Sequence, residues 1–65
     1  MEDKLNYGYC CWFLGKIDEA ISSFRKYISS LNEKERMKFD FDRELLKDNG
    51  ISETQAKLMY AAVFS

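Results

Sequence analysis

Two adjacent cysteines, Cys10 and Cys11, and two nearby acids, Asp40 and Asp42, are the side chains of this 65-residue sequence whose types could do covalent or acid–base chemistry. A nucleophilic cysteine needs a base, commonly histidine, or a positive local field to generate its thiolate. The sequence has no histidine, and the residues beside the pair, Tyr9 and Trp12, are aromatic. Small apolar filling is therefore the expected role of both thiols. Asp40 and Asp42 are flanked by Lys38 and Arg43 and read as part of a solvated charged segment. Two cysteines without histidine fall short of the four ligands of a structural zinc site. Gly8, Gly15 and Gly50 are too dispersed to cradle a phosphate. No catalytic, cofactor-binding or metal-ligating set is expected, and the chain reads as a non-enzyme.

The aromatic group Tyr7, Tyr9, Trp12 and Phe13 could stack on bases or anchor a protein interface. Lys and Arg total 10 against 11 Asp and Glu, giving net charge −1 with no basic cluster. Nucleic acid would lack its main affinity contribution, so protein contact is expected instead. The longest apolar stretch, Tyr7 to Leu14, is far below the ~18 residues of a membrane span. It follows Glu2-Asp3-Lys4 rather than the positive segment that opens a secretory signal. A cytoplasmic, reducing location is the expectation.

Size adds a constraint. A single domain this small buries only about 60% of its unfolded surface and usually needs a disulfide, a metal or oligomerisation. Helical neighbours such as Cys10 and Cys11 point about 100° apart and do not bridge each other, and the metal is already excluded. With 46% hydrophobic residues, the apolar surplus points to a surface covered by another chain, and a homo-oligomer is expected.

The elements that must position these residues are helical. A first helix is predicted from about Asp3 to Leu14, stopped at Gly15 by a left-handed C-terminal residue. Its apolar residues occupy every side, which predicts burial all round. A second helix starts near Ile17 or Asp18, with Asp18 and Glu19 at its dipole-favoured end. Ile17, Ala20, Ile21, Phe24, Tyr27, Ile28 and Leu31 form one helical face, opposite Ser22, Ser23, Arg25, Lys26 and Ser29. Asn32 with Glu35 predicts a capping box for a third helix over 33–48. Within it Met37, Phe41 and Leu45 share a face, while Met37, Phe39 and Phe41 also alternate with Lys38, Asp40 and Asp42 in strand period. Helix is favoured, with a break expected near Phe39 to Asp42, because no second strand exists to pair. Asp48-Asn49-Gly50 predicts a stop. Ile51 and the Ser52–Gln55 box then open a fourth helix.

Gly8, Gly15, Ala20 and Phe24, with the turn Gly15-Lys-Ile-Asp-Glu-Ala-Ile21, make the opening hairpin resemble the tetratricopeptide repeat, a helix-turn-helix unit of about 34 residues. The likeness covers about residues 2–32. Gly8 and Ala20 are the small residues where two helices cross, and Phe24 fills the crevice one turn on. Lys4, Cys11 and Asn32 depart from the family's usual Trp, Tyr and Pro, and Tyr27 replaces a small residue that admits the next helix. Residues 33–65 read as a diverged second unit or a capping pair.

The resemblance implies an all-α single domain, 1–65, a short right-handed array whose hairpin, 1–32, precedes two C-terminal helices, 33–65. It implies a protein-interaction or scaffolding role, in a self-associating chain or a terminal piece of a longer repeat protein. It also implies a partner-binding concave face of Leu5, Asn6, Tyr9, Trp12 and Phe13. That set suits an apolar peptide or helix, since an acidic tail would want paired Lys or Arg. The alternative is that the same residues form an oligomer interface.

Overall fold

The computed structural model describes residues 3–65, and in them the fold is all-α, with five helices and no strand. They are α1 (Asp3–Phe13), α2 (Ile17–Ser29), α3 (Glu33–Lys38), α4 (Arg43–Asp48) and α5 (Glu53–Phe64).

α1 ends as its glycine requires. Gly15 has φ +83°, its N–H donates to Trp12 O, and the Lys16 N–H donates to Cys11 O. This pair of bonds closes two orphan carbonyls of the last turn, which only a left-handed residue permits. The same pair recurs after α4, where Gly50, at φ +78°, donates to Lys47 O and Ile51 donates to Leu46 O. Ile51 and Leu46 are the apolar couple that accompanies such a stop. Both predicted capping boxes form, Asn32 with Glu35 and Ser52 with Gln55.

α1 and α2 make an antiparallel hairpin. Ala20 and Phe24 are fully buried and Ile28 nearly so. A Cβ built on Gly8 would lie 2.7 Å from the Phe24 ring, so glycine is what lets that ring reach the α1 backbone. Ser23 departs from the expected polar outer face. It is buried, and its hydroxyl donates to Lys4 O, a bond that satisfies a polar group otherwise costly to bury. Ile17, expected inward, is 43% exposed.

The expected third helix is two short ones, parted at the break expected near Phe39 to Asp42. Between α3 and α4, Phe39 has φ −65° and ψ 137° and Asp42 has φ −70° and ψ 99°. This extended segment uses its two-residue period to turn Phe41 into the core and leave Asp40 and Asp42 exposed. The helical face of Met37, Phe41 and Leu45 therefore does not exist: Met37 is 79% exposed. Asp42 also caps α4, its carboxylate accepting from the Leu45 N–H at 3.1 Å, so the break carries its own stop and start.

α5 lies along α2 in the same direction. Arg25, in the second half of α2, donates to Ala62 O at 2.8 Å and to Ser65 Oγ at 3.1 Å at the end of α5. Ile17 and Ile21, in the first half, share a groove with Gln55, Leu58, Met59 and Ala62. α5 buries Ala56, Met59 and Val63, joining Leu46 of α4 and the hairpin in one core.

α1 is not buried all round, contrary to expectation. Tyr7 is 56% exposed, Leu14, just past the helix end, is 74% exposed, and Cys10 faces outward while Cys11 is buried. The reason is geometric: α2 covers one side, the Phe39–Asp42 segment covers another, and α5 comes near only at Trp12 among the residues lining its groove.

Candidate protein interface

The five residues expected to face a partner are divided by the fold. Tyr9 and Trp12 are buried, Leu5 and Phe13 are half-buried, and Asn6 is exposed. What covers the first pair is the chain itself. Phe41 packs its ring 5.2 Å from Trp12, 6.3 Å from Tyr9, 5.0 Å from Phe24, 5.3 Å from Phe39 and 6.2 Å from Tyr60. Four of these contacts, to Tyr9, Trp12, Phe39 and Tyr60, are edge-to-face arrangements of the kind that add to simple area burial. Phe13 stacks over Tyr9 and Trp12 from outside, with planes 20° and 21° apart. The aromatic face of α1 is thus an internal cleft holding an extended Phe-Asp-Phe-Asp segment.

A polar contact pins the segment. The Asp42 N–H donates to Tyr9 Oη at 2.9 Å. Burial raises the Tyr9 phenol above its ordinary value, so it stays neutral in the folded chain well into alkaline solution. A phenol raised on folding contributes stability that is complete below its unfolded value of about 10 and is lost as pH rises through the folded value. Tyr9→Phe should cost about 1–2 kcal/mol at neutral pH by leaving the Asp42 N–H without its acceptor. It should also flatten the stability loss above pH ~10. Urea denaturation from neutral to alkaline pH reads both, and parallel curves for the two proteins would count against a buried phenol here.

On the other side of the hairpin, Tyr7 Oη donates to Glu19 Oε2 at 3.3 Å and Cys11 Sγ approaches the same oxygen at 3.9 Å. The Cys11 thiol and then Glu19 hold the Tyr7 phenol above its ordinary value. Lys4 and Lys26 line the same surface hollow as Tyr7 and Glu19. Arg43 pairs with Asp40 at 3.2 Å and with Glu53, both at the surface, where such pairs contribute little. Among the described residues no group of His, Cys, Asp or Glu could hold a metal, and no helix is long and apolar enough to cross a membrane.

The apolar surface left open lies elsewhere. Between α2 and α5 runs a groove of about 210 Å³ lined by Trp12, Ile17, Ile21, Leu58, Met59 and Ala62, with Gln55 at its edge. Leu58, 66% exposed, and Ile17, 43% exposed, stand in contact with solvent along it. Helical period places Ile17 on the inward face of α2, and its position on the groove beside α5 leaves it partly open. The extended segment was missed as the cover of α1, although the Phe39/Phe41 alternation was its signal. With helices, cleft and groove in place, the class is an all-α protein built on a helical hairpin. Comparison with family models, curated proteins and solved structures finds nothing that matches this chain.

Proposed function

We propose that the protein is a cytoplasmic protein-interaction or scaffolding module, built on a tetratricopeptide-like hairpin, that associates with a second copy of itself through the α2–α5 groove. The observation that supports it is the pair of exposed aliphatic residues, Ile17 and Leu58, along an apolar channel between two helices running side by side. Such a channel accepts a helix, whose side chains at every third or fourth position drop into it. α5 itself presents the complementary shape, because Leu58 and Ala62 stand one turn apart on its open side. Two copies related by a twofold axis could therefore bury each other's α5 edge, as an isologous interface requires. Free thiols on a chain with no disulfide fit a reducing compartment.

Leu58→Glu is the test. It places a charge on an exposed position, so the melting temperature should hold within the small range of surface substitutions. The mass by light scattering should fall to monomer at concentrations where the parent is dimeric. A parent that stays monomeric throughout the series, or a Leu58→Glu dimer as tight as the parent's, would refute the groove as a self-association surface.

A further inference from the structure

We infer that the joint between α2 and α3 is a hinge through which two copies exchange their C-terminal halves, each lending its Phe39–Ser65 segment to the other's hairpin cleft. This goes beyond the groove proposal and does not depend on it.

The observations concern the connection first. α3 buries no residue, so in the stretch that joins the hairpin to the half that covers it only Leu31 packs against the core, and that partly. Ser30 already has helical angles, φ −85° and ψ −10°, and the chain departs from the helix at Asn32, with ψ 171°. Neither glycine nor proline lies between Ser29 and Lys38, and Glu33, Lys34, Glu35, Arg36, Met37 and Lys38 are all good helix formers. The bend is held by the exposed Asn32–Glu35 box, in which Asn32 Oδ1 accepts from the Glu35 N–H at 2.8 Å and Glu35 Oε1 accepts from the Asn32 N–H at 3.1 Å. Arg36 adds a bond to Leu31 O at 3.0 Å, also exposed. Bonds of this kind are worth little more than one helix cap.

Distances then decide what straightening does. In a continuous α2–α3 helix, Phe39 would lie 12 residues beyond Tyr27, about 18 Å along the axis. In the folded-back chain their ring centroids are 5.9 Å apart. A straightened chain cannot close Phe39 on Tyr27, or Phe41 on Trp12, within itself. A second copy can supply both. Every contact of the cover with the hairpin, including Asp42 N–H to Tyr9 Oη and Arg25 to Ala62 O, is equally available between chains, so the exchange sacrifices only the hinge bonds. The partner is therefore a second copy of this chain, contributing Phe41 and α5 to the core.

The experiment uses the full chain carrying Asn32→Ala, which removes the cap and favours the straight helix. Two hinges open per dimer, so the concentration at which half the chains are dimeric should fall by about tenfold or more relative to the parent. The near-ultraviolet signal of Trp12 should remain native. Exchange is read by adding Cys10→Ser, Arg25→Cys and Ser65→Cys and treating the dimer with a short bismaleimide, because Arg25 and Ser65 touch across the two halves. Covalent dimers on a denaturing gel are the expected result. An Asn32→Ala protein that remains as monomeric as the parent overturns the inference, and so does a dimer whose cross-links all close within single chains. Repeating the measurement with Leu58→Glu separates the two proposals, since that change removes groove dimers and leaves exchanged ones.

Discussion

Replacing Phe41 with alanine is expected to cost about 3–5 kcal/mol, the range for emptying a large aromatic from a packed core. Phe41 is 3% exposed and its ring is enclosed by five other aromatic rings. The site has little means of collapsing, because its walls belong to two helices already in contact and to α5. At roughly 0.05–0.15 kcal/mol per residue, a chain of this length has about 3–10 kcal/mol in total. The variant should therefore show much reduced near-ultraviolet dichroism and a urea midpoint close to zero. Met37→Ala, four residues earlier on α3 and exposed, should stay within about 0.5 kcal/mol of the parent. Equal effects of the two substitutions would remove Phe41 from the core.

The second large effect is expected at Gly8. Two contributions of opposite sign compete when it becomes alanine. Alanine is better than glycine inside a helix by about 1 kcal/mol. Against this, the new methyl would stand 2.7, 2.8 and 3.0 Å from three atoms of the Phe24 ring. That ring is fully buried, with Tyr9, Trp12 and Phe41 rings 5.4, 6.0 and 5.0 Å from its centre, so it has no open direction in which to yield. Overpacking of this kind costs about 1–3 kcal/mol, and the clash should win. Gly8→Ala should lower the urea midpoint, and Gly8→Leu should abolish the cooperative transition. Gly8→Ala with Phe24→Leu should recover part of the loss, giving a favourable coupling in a double-mutant cycle. A Gly8→Leu protein that melts like the parent would mean the hairpin does not cross at this point.

These two substitutions divide what each level of description carries. The Gly8–Phe24 contact agrees with what the resemblance implied, small Gly8 and Ala20 where the two helices cross and Phe24 one turn beyond Ala20 filling the crevice. The helix ends were legible for a local reason. Gly15, Gly50, Asn32 and Ser52 act on backbone groups within a few positions of themselves, so no distant residue is needed to realise them. Phe41 was different. Its segment fits a helical period through Met37 and Leu45 and an extended period through Phe39, and local preference favoured the helix. The break expected near Phe39 to Asp42 forms there, and packing decided its extended shape, which puts both Phe39 and Phe41 against the hairpin while Asp42 starts α4.

The candidate interface follows the same division. Tyr9, Trp12 and Phe13 were recognisable as an aromatic face in need of cover, and the alternation at Phe39 and Phe41 was visible beside them. Nothing local states that the second covers the first, because the two are about thirty residues apart and meet only when α2 turns the chain back. Ser23 shows the effect in miniature: by type it belongs to the polar face, yet the space opened by Gly8 brings Lys4 O within reach of its hydroxyl. What the sequence alone determined is the all-α class, the helix stops and caps and the tight hairpin, all set by interactions within a few turns. What only the tertiary structure decided is which apolar residues remain outside, Leu58 and Ile17 rather than Tyr9 and Trp12, because that depends on which distant segment reaches a shared surface first.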